Sequence, residues 1–558
     1  MTETKKHTKS IVYVIAGIIL LNFLGNYFYK RYDLTQDKRF TLSEAAKKTI
    51  ATVDVPIFIE VFLEGNFPSE FKRLQSETKQ LLEEFEAYNH NIKFKFVNPS
   101  DTEGEAEALF KFGAKPAQVE VKENGKVSTQ QIFPWAIATY NGRPIKIPLL
   151  KNQLGITSEE RVTNSIQNLE YAFADGFNKL VHPKKRKVAV IKGNGELEDK
   201  YVVNFFTTLR EYYYIAPFTL DSALISPVKT LEQIKEFDLI VVANPTEAFS
   251  EKEKYILDQY TMNGGSSLWL VDAVELKKDS VSGNDFGFGK ELNLTDFFFK
   301  YGIRINPNLV KDVYSAPILL ASGSERESQY NRYPWFYSPL SSSANNHPIV
   351  TNIEAVKFDY ASSIDTLPNS ISKTVLLSSS PISKVVGMPV EIDISKEINK
   401  NLKIVNEGPS EKEYTAKEIP LSILLEGTFP SAYTNRIKPF KIAGDLSRSQ
   451  PTKMIVISDG SIIANQLQGN RPLELGFDKW TNAFYGNKEF LLNSVNYLLD
   501  DNGLINIRSK EISVPFLDPQ KVAEQRVVWQ LVNILLPLVL LMLFGFGFTY
   551  RRKQKYTD

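Results

Sequence analysis

The sequence contains no cysteine among its 558 residues. This absence excludes disulfide bonds, thiolate metal sites, iron–sulfur clusters and cysteine nucleophiles. Histidine is nearly absent too, since only His7, His90, His182 and His347 occur, far apart and each in a turn-like or helix-end context. We therefore predict no metal site, and nothing in the sequence indicates a cofactor.

An excess of charge of either sign is also missing. The 66 basic and 65 acidic residues leave a formal net charge of +1, so no global field attracts nucleic acid. The phosphate-binding motif G-x-x-x-x-G-K-[ST] and the hydrolase motif G-x-S-x-G do not occur. The chain is therefore predicted not to hydrolyse ATP by that route, and no enzymatic activity is expected.

Two long uncharged runs are present, one near each end of the chain. Residues 11–29 and 527–550 each match the roughly 20 residues that cross about 30 Å of hydrocarbon. We predict a transmembrane helix in each run. The first is predicted to stay uncleaved, because Lys30 and Arg31 follow it where a signal peptide has a cleavage site.

Basic residues beside these runs indicate the orientation. Lys5, Lys6 and Lys9 precede the first run, and a basic cluster from Arg551 to Lys555 follows the second. Lys30 and Arg31 oppose this orientation for the first helix, but long loops translocate largely regardless of charge. We predict two spans in the cytoplasmic (inner) membrane, cytoplasmic tails at 1–10 and 551–558, and a large periplasmic body between the spans.

The body is predicted to begin with a thioredoxin-like α/β domain at residues 30–183. Its elements read βαβαβββ, followed by a helix from Ser158 to Leu180 with apolar residues at helical spacing. Thr41 and Glu44 have capping-box spacing, which predicts a helix that starts after Thr41. The redox activity of thioredoxins is excluded, because no Cys-x-x-Cys occurs.

Residues 184–510 are predicted to form a doubly wound α/β domain of the flavodoxin or amidotransferase type. Apolar strands at 187–191, 239–243 and 267–272 alternate with helices, which favours a parallel sheet. Residues from about 312 to 452 are poorly patterned and are predicted as an insertion, although 374–377 and 421–425 resemble strands. Residues 511–526 are predicted as a membrane-proximal linker.

Polar residues follow three of the predicted strands. Open α/β sheets bind ligands at the carboxyl ends of their strands, so these residues are candidates for binding a partner or ligand. Turn and cap roles are the alternative interpretation. A dinucleotide site is not predicted, because Glu198 stands where the third glycine of G-x-G-x-x-G is required. The candidates are Gly193, Asn194, Gly195, Glu196, Asp272 and Asp459.

Several segments together resemble the GldG family, the gliding-motility-associated ABC transporter auxiliary membrane proteins of Bacteroidetes. The segments are RYDLTQDKRFTLS at 31–43, Glu170-Tyr171, GNGEL at 193–197, SDGS at 458–461, GNKEFLLNSVNYLL at 486–499 and GLI at 503–505. The first segment adds a membrane-proximal motif to the candidate residues. Its members are Asp33, Leu34, Thr35, Arg39, Thr41 and Ser43.

The resemblance implies a non-catalytic accessory subunit, sometimes called substrate-binding, that works with a GldF-like permease and a GldA-like ATPase. It also implies a middle domain similar to the intraflagellar-transport and amidotransferase-like superfamily, without enzymatic residues. The family often has His where Asn194 stands, which argues against proton transfer by this loop. Membrane lipid and a second copy of the chain are further expected partners.

Two other functions stay open at this point. The chain could be an envelope scaffold of the gliding or secretion machinery without a transporter partner. It could also be a periplasmic enzyme that uses the carboxylates at the strand ends, with Glu196 and Asp459 as acid/base residues.

Overall fold

The chain forms two units, Met1–Glu511 and Ile512–Asp558, in a computed structural model. The structure describes residues 13–18, 20, 33, 41–65, 67–101, 104–123, 126–151, 156–280, 284–322, 329–342, 345–410, 412–414, 418–500, 503–510 and 519–556.

The architecture is mixed α/β. The α-helices that follow residue 40 are α1 Glu44–Ala51, α2 Ser69–Tyr88, α3 Glu105–Lys111, α4 Ser158–Val181, α5 Asp199–Leu209, α6 Pro227–Ile234, α7 Glu251–Met262, α8 Thr295–Tyr301, α9 Ile394–Glu407, α10 Asn487–Leu499 and α11 Pro519–Tyr556. Single 3₁₀ turns span Asp221–Leu224, Ser461–Ile463 and Leu504–Ser509.

The strands fall into one four-stranded sheet, one seven-stranded sheet and several small ones. They are β1 Ile57–Val61, β2 Ile92–Phe96, β3 Ala117–Glu123, β4 Lys126–Ile132, β5 Trp135–Tyr140, β6 Arg143–Pro148, β7 Lys187–Lys192, β8 Tyr214–Thr219, β9 Leu239–Ala243, β10 Ser266–Leu270, β11 Val274–Lys278, β12 Asp285–Gly289, β13 Ile303–Ile305, β14 Asn308–Asp312, β15 Ser315–Ser322, β16 Gln329–Ser341, β17 Val356–Lys357, β18 Ile364–Thr366, β19 Ser372–Ser378, β20 Ser383–Gly387, β21 Val390–Ile392, β22 Pro420–Gly427, β23 Thr452–Ile457, β24 Leu467–Gln468, β25 Arg471–Pro472, β26 Phe477–Asp478 and β27 Ala483–Phe484.

The first sheet has the strand order β2-β1-β5-β6. β1 pairs parallel with β2 and antiparallel with β5, and β5 pairs antiparallel with β6. Helices α2 and α4 bury their apolar residues in the core of this sheet, with Phe85 packed edge-on against Phe177. The sequence predicted three strands after α3, at the positions of β3, β4 and β5; the structure adds a fourth, β6, which pairs antiparallel with β5. β3 and β4 form a separate two-stranded hairpin.

The second sheet has the strand order β19-β22-β23-β10-β9-β7-β8. Its five strands β8, β7, β9, β10 and β23 are parallel, as the alternation of strands and helices predicted. Alternate residues of β7 and β9 enter two different cores, so both faces are covered. Helices α5 and α10 cover one face, and α6, α7 and α8 cover the other.

The predicted insertion supplies the remaining strands of this sheet. The two strands expected within it exist as β19 and β22, and β22 pairs antiparallel with β23. An antiparallel strand does not need a helical crossover, which is why the helix–strand alternation fails here. The long hairpin of β15 and β16 and several small sheets complete the insertion.

The second unit consists of helix α11 among the residues that the structure describes. Glu524–Gln554 is long and apolar enough to cross a membrane, with a mean hydropathy of 2.4 over its most apolar 18 residues, and no other described helix meets this criterion. The helix begins at Pro519, before the predicted start of the span at residue 527. Of the predicted first span, residues 13–18 and 20 are described and helical, and the others lie outside the described residues.

Candidate functional site

The loop after β7 contains four of the predicted binding residues. Gly193 and Gly195 have φ angles of 117° and 71°, in the region that favours glycine. A Cβ atom on Gly193 would lie 2.8 Å from Asp221 Oδ1, and one on Gly195 would collide with Thr246. The two glycines therefore let the β8 and β9 loops approach this loop closely.

Hydrogen bonds join this loop to the loop after β9. The carbonyl oxygen of Asn194 accepts the N–H groups of Thr246 and Glu247, each at 2.9 Å. The Thr246 hydroxyl donates to the carbonyl of Gly195 at 2.9 Å. In the parallel strand order β8-β7-β9-β10-β23, the chain runs from β7 to β8 on one side and then to β9 on the other side. The space between the carboxyl ends of β7 and β9 is therefore the switch point of the sheet.

Two side-chain oxygens of the loop lack a hydrogen-bond donor among the residues that the structure describes. Glu196 Oε2 accepts the backbone N–H of Asn194 at 2.9 Å. Glu196 Oε1 and Asn194 Oδ1 are buried and have no partner among the residues that the structure describes. Burial raises the pKa of Glu196 above its usual value, although hydrogen bonds from backbone N–H groups oppose this shift.

Asp272 and Asp459, predicted only as separate strand-end residues, come together one strand further along. Asp272 Oδ1 accepts the N–H of Gly460 at 2.6 Å, directly beside Asp459. Asp459 accepts the N–H groups of Asp359 and Ser461, both at 2.7 Å. Glycine is required at position 460, because any Cβ there would collide with the side chain of Asn244.

Burial and like charge act together on this carboxyl pair. Burial and the charges of Asp272 and Asp359 raise the pKa of Asp459 far above that of an ordinary aspartate. Burial also raises the pKa of Asp272, against the opposing charge of Lys290 at 3.8 Å. Neither carboxyl has a buried oxygen without a partner. The pair therefore holds three strand-end loops together.

Metal binding finds no support in the described residues. Among them, no group of three or more histidine, aspartate and glutamate side chains could hold a metal ion. Asn194 and Glu196 make no hydrogen bond or ion pair with Asp272 or Asp459 within the described part of the chain. The predicted site residues thus form two neighbouring groups rather than one catalytic centre.

A second polar centre, which sequence reasoning missed, joins the two ends of the first unit. Glu170 on α4 is only 4% exposed. Its Oε1 accepts the N–H of Ser43 at 2.6 Å, and its Oε2 accepts a hydrogen bond from Lys510 Nζ at 2.8 Å. Lys510 Nζ also donates to the carbonyl of Thr41 at 2.8 Å. We call these four residues the Glu170 latch.

The latch corrects the prediction of a capping box at Thr41. Ser43 is the N-cap of α1, and its hydroxyl accepts the N–H of Ala46. The carboxylate that would occupy the third helical position in a capping box comes instead from Glu170, 127 residues away. Thr41 donates its hydroxyl to Asp33 at 3.0 Å. Leu34, Thr35 and Arg39 of the predicted motif lie outside the described residues.

A buried ion network lies next to the latch. Glu489 of α10 pairs with Lys151 at 3.0 Å and with Arg508 at 2.6 Å. Burial lowers the pKa of Lys151 to about 8. Burial alone would raise the pKa of Glu489, but the charges of Lys151 and Arg508 outweigh it and keep that pKa below its ordinary value. Arg508 also lies over the ring of Tyr171, 5.0 Å from its centroid.

The segment that carries Arg508 and Lys510 belongs to the first domain by packing. Leu504, Ile505 and Ile507 of the last 3₁₀ turn are buried in the core of the four-stranded sheet. A signal in the sequence could have indicated this centre: Glu170 is a charged residue on the apolar stripe of α4, between Ile166 and Phe173.

A family model described as an ABC-type uncharacterized transport system matches residues 185–494, more than half of the chain. The chain belongs to this family. Membership in this ABC-type transport family, together with the apolar helix α11, indicates association with an ABC transport system and with a membrane. A second family model, described as a domain of unknown function, matches residues 36–139.

The four residues of the latch all lie outside the part of the chain that defines this ABC-type transport family. Ser43 and Thr41 lie in the second match, whereas Glu170 and Lys510 lie outside both matches. The predicted binding residues Gly193 to Glu196, Asp272 and Asp459 all lie within the transport-family match.

Two known proteins are similar to this member of the family. An uncharacterized protein of Borreliella burgdorferi (strain ATCC 35210 / DSM 4680 / CIP 102532 / B31) is 21% identical over 531 residues, which cover 94% of each chain. The solved mmIFT52 N-terminal domain is 12% identical, with a TM-score of 0.32, and the match covers 56% of this chain and 97% of that domain.

A cavity beside the second sheet lies away from the predicted site. It has a volume of about 420 Å³ and is lined by Arg186, Asp238, Tyr260 and Gly265, among others. These residues precede or begin the parallel strands, so the cavity is at the amino edge of the sheet. Arg186 is already paired with Asp238 at 2.6 Å.

Proposed function

We propose that the chain is a non-catalytic accessory subunit of an ABC transport system, held in the cytoplasmic membrane, whose periplasmic body binds a partner or substrate. The observation that carries the proposal is the ABC-type transport family match over residues 185–494. The chain lacks the phosphate-binding motif of an ATPase, so the energy must come from another subunit.

The orientation rests on the basic residues of the tails. Lys5, Lys6 and Lys9 would hold the first tail in the cytoplasm, and the cluster from Arg551 to Lys555 would hold the second. With two spans, the body lies on the periplasmic side. The latch supports two spans in one membrane, because it joins residues 41 and 510, where the chain enters and leaves the body, by a hydrogen bond.

The finer assignment follows the resemblance to the GldG family. We propose that the partners are a GldF-like permease and a GldA-like ATPase, and that the system serves gliding motility. We also propose a thioredoxin-like fold for residues 30–183, which the order β2-β1-β5-β6 supports, with α2 and α4 as covering helices.

The latch gives the subunit a means of coupling movement of its entry and exit segments to helix α4 of the body. Glu170 binds the entry segment through Ser43 and the exit segment through Lys510. A displacement of either segment therefore acts on α4, whose other side packs in the first core. A permease that moves either end would in this way change the position of the body's helices.

A periplasmic enzyme is the weaker alternative. Both oxygens of Asp459, one of the two predicted acid/base residues, accept backbone N–H groups at 2.7 Å, which commits this carboxyl group to holding loops. An envelope scaffold without a transporter partner remains the second alternative. The scaffold differs from the proposed transport subunit in one respect, because its function does not need the ATPase.

The proposal is tested by affinity purification of the tagged full chain from detergent-solubilised membranes of its own host. We expect a permease and an ATPase to co-purify, and we expect deletion of the ATPase gene to give the same phenotype as deletion of this chain. Purification of the chain with neither subunit would refute the proposal. Co-purification without a shared phenotype would favour the scaffold.

A further inference from the structure

The acidic surface at the carboxyl ends of β7, β8 and β9 has unsatisfied acceptors that point to a particular kind of partner. We define the acidic edge surface as Asn194, Glu196, Asp221, Ile225 and Glu247. Gly193 lies against Asp221, Gly195 lies against Thr246 and Glu247, and Ile225 directly follows the 3₁₀ turn that begins at Asp221.

The first observation is the pair of acceptors without donors. Asn194 is 3% exposed, and its Oδ1 has no hydrogen-bond partner among the described residues; the same holds for Glu196 Oε1. A buried polar atom without a partner costs roughly 1–3 kcal/mol. Both atoms are acceptors, so only a group rich in N–H or O–H donors can satisfy them. The exposed glycines on either side have no side chain to block such a group.

The second observation is an excess of negative charge. The neighbouring carboxylates of Glu198 and Asp199 are paired with Lys200 at 2.7 Å and Lys192 at 2.9 Å. Asp221 and Glu247 are exposed and have no ion pair within the described part of the chain. The complementary group is therefore cationic, and an anionic lipid surface is disfavoured.

The third observation is an apolar patch in the same turn as Asp221. Leu224 is 59% exposed and Ile225 is 88% exposed, and Val228 at the start of α6 is exposed as well. Lys252 of α7 holds this turn by donating to the carbonyl of Leu224 at 2.9 Å. Adjacent large apolar side chains beside charged groups are typical of protein–protein contacts.

We propose that the acidic edge surface docks a protein segment that presents an arginine or lysine side chain next to apolar residues. The basic side chain donates to Glu196 and Asn194, Asp221 and Glu247 attract it, and Ile225 contacts the apolar residues. Arginine fits best, because its planar guanidinium carries five donors in a fixed geometry. This inference gives the chemistry of the partner that the proposed function leaves unnamed, and so it rests on that proposal.

The test uses the purified full chain in detergent and fluorescence anisotropy. The probe is a fluorescein-labelled twelve-residue amphipathic peptide of leucine and arginine, compared with versions that carry glutamine or glutamate in place of arginine. We expect the arginine peptide to bind, the glutamine peptide to bind about tenfold more weakly, as for a lost charge-assisted hydrogen bond, and the glutamate peptide not to bind.

Matched variants locate the binding. Glu196→Gln is expected to weaken binding of the arginine peptide about tenfold. Glu83 is an exposed carboxylate on α2 that has no ion pair within the described part of the chain, so Glu83→Gln is expected to leave binding unchanged. Ile225→Ser should weaken binding, and Ile437→Ser, at a residue that is 95% exposed elsewhere, should not. Circular dichroism confirms that each variant is folded.

Three results would overturn the inference: no binding of the arginine peptide to the wild type, equal binding of the glutamate peptide, or equal weakening by Glu83→Gln. The outcome is separate from that of the proposed function. A permease and an ATPase can co-purify with the chain while the peptide fails to bind. The peptide can also bind while neither subunit co-purifies.

Discussion

The ion network around Glu489 is the residue-scale feature that most directly connects separate parts of the sequence. Lys151 and Arg508 are 10% and 3% exposed at their side chains, and both use the Glu489 carboxylate. Removing one member of a buried ionic group leaves its partners charged and uncompensated, which is far more destabilising than loss of a surface pair.

We predict that Glu489→Gln lowers the free energy of unfolding by about 3 kcal/mol. Glu44→Gln is the matched control: it removes an exposed pair with Lys47 and should change stability by less than about 1 kcal/mol. Urea unfolding of both variants, followed by tryptophan fluorescence, measures the difference. Equal midpoints for the two variants would show that the network adds nothing to stability.

A second residue-scale prediction concerns pH. Burial and the charges of Asp272 and Asp359 raise the pKa of Asp459 from 3.8 to about 8. The folded protein thus keeps a proton that the unfolded chain releases, so the stabilisation from this proton is complete below about pH 4 and is lost as the pH rises to about 8.

Asp459→Asn removes this titration. We predict that the variant, although destabilised overall because its amide cannot accept both backbone N–H groups, loses less stability than the wild type between about pH 4 and about pH 8. Asp199→Asn, at a side chain that is 91% exposed, should follow the wild type. Urea unfolding midpoints measured across this pH range test the prediction. If the midpoint fell equally steeply with pH in Asp459→Asn and the wild type, the raised pKa of Asp459 would be contradicted.

Among the elements, the last 3₁₀ turn is the one whose position matters most. Leu504–Ser509 follows α10 of the second sheet but packs in the core of the first. Ile505 is 2% exposed there. The chain thus returns to its first domain before α11, which ties the two sheets together.

We predict that Ile505→Ala destabilises the protein by about 3 kcal/mol, as for other large-to-small core substitutions. Ile437→Ala, at a residue that is 95% exposed, should have no measurable effect. Hydrogen exchange should show faster exchange in β1 and α4 for Ile505→Ala, because its contacts belong to that core. Faster exchange confined to α10 would mean that the turn stabilises only the second sheet.

The sequence predicts elements well where local pattern and tertiary packing agree. The helix Ser158–Val181 was predicted at nearly its observed length, because its apolar residues recur at helical spacing and all pack in one core. β19 and β22 were predicted as strands, but their place in the seven-stranded sheet was not predicted. Antiparallel pairing between distant strands needs no helical crossover, so no pattern in the sequence indicates it.

Contacts between distant residues were beyond the sequence pattern. Thr41 and Glu44 have the spacing of a capping box, yet Ser43 caps the helix and Glu170 supplies the carboxylate. The six strand-end candidates follow β7, β10 and β23 at the carboxyl edge of the parallel strands, and their role in binding stays a prediction. Their division into an open pair, Asn194 and Glu196, and a filled pair, Asp272 and Asp459, depends on backbone N–H donors that no residue pattern reveals.

At the scale of the whole molecule, the account depends on how the chain is oriented in the membrane. In the proposed arrangement, an accessory subunit with two cytoplasmic tails and a periplasmic body would meet its permease within the membrane and its partner outside it. The Glu170 latch fits this arrangement, because it brings together the entry and exit segments of the body. A body in the cytoplasm would remove the basis for periplasmic docking.

Single-cysteine labelling in intact host cells tests this orientation most directly, and the absence of native cysteine gives it a clean background. The reporters are Thr8→Cys and Thr557→Cys in the tails and Ser76→Cys on the exposed face of α2. With a maleimide that enters the periplasm but does not cross the inner membrane, we predict that Ser76→Cys is labelled in intact cells and that both tails are labelled only after lysis. Labelling of either tail in intact cells, or a Ser76→Cys reporter that requires lysis, would contradict the account.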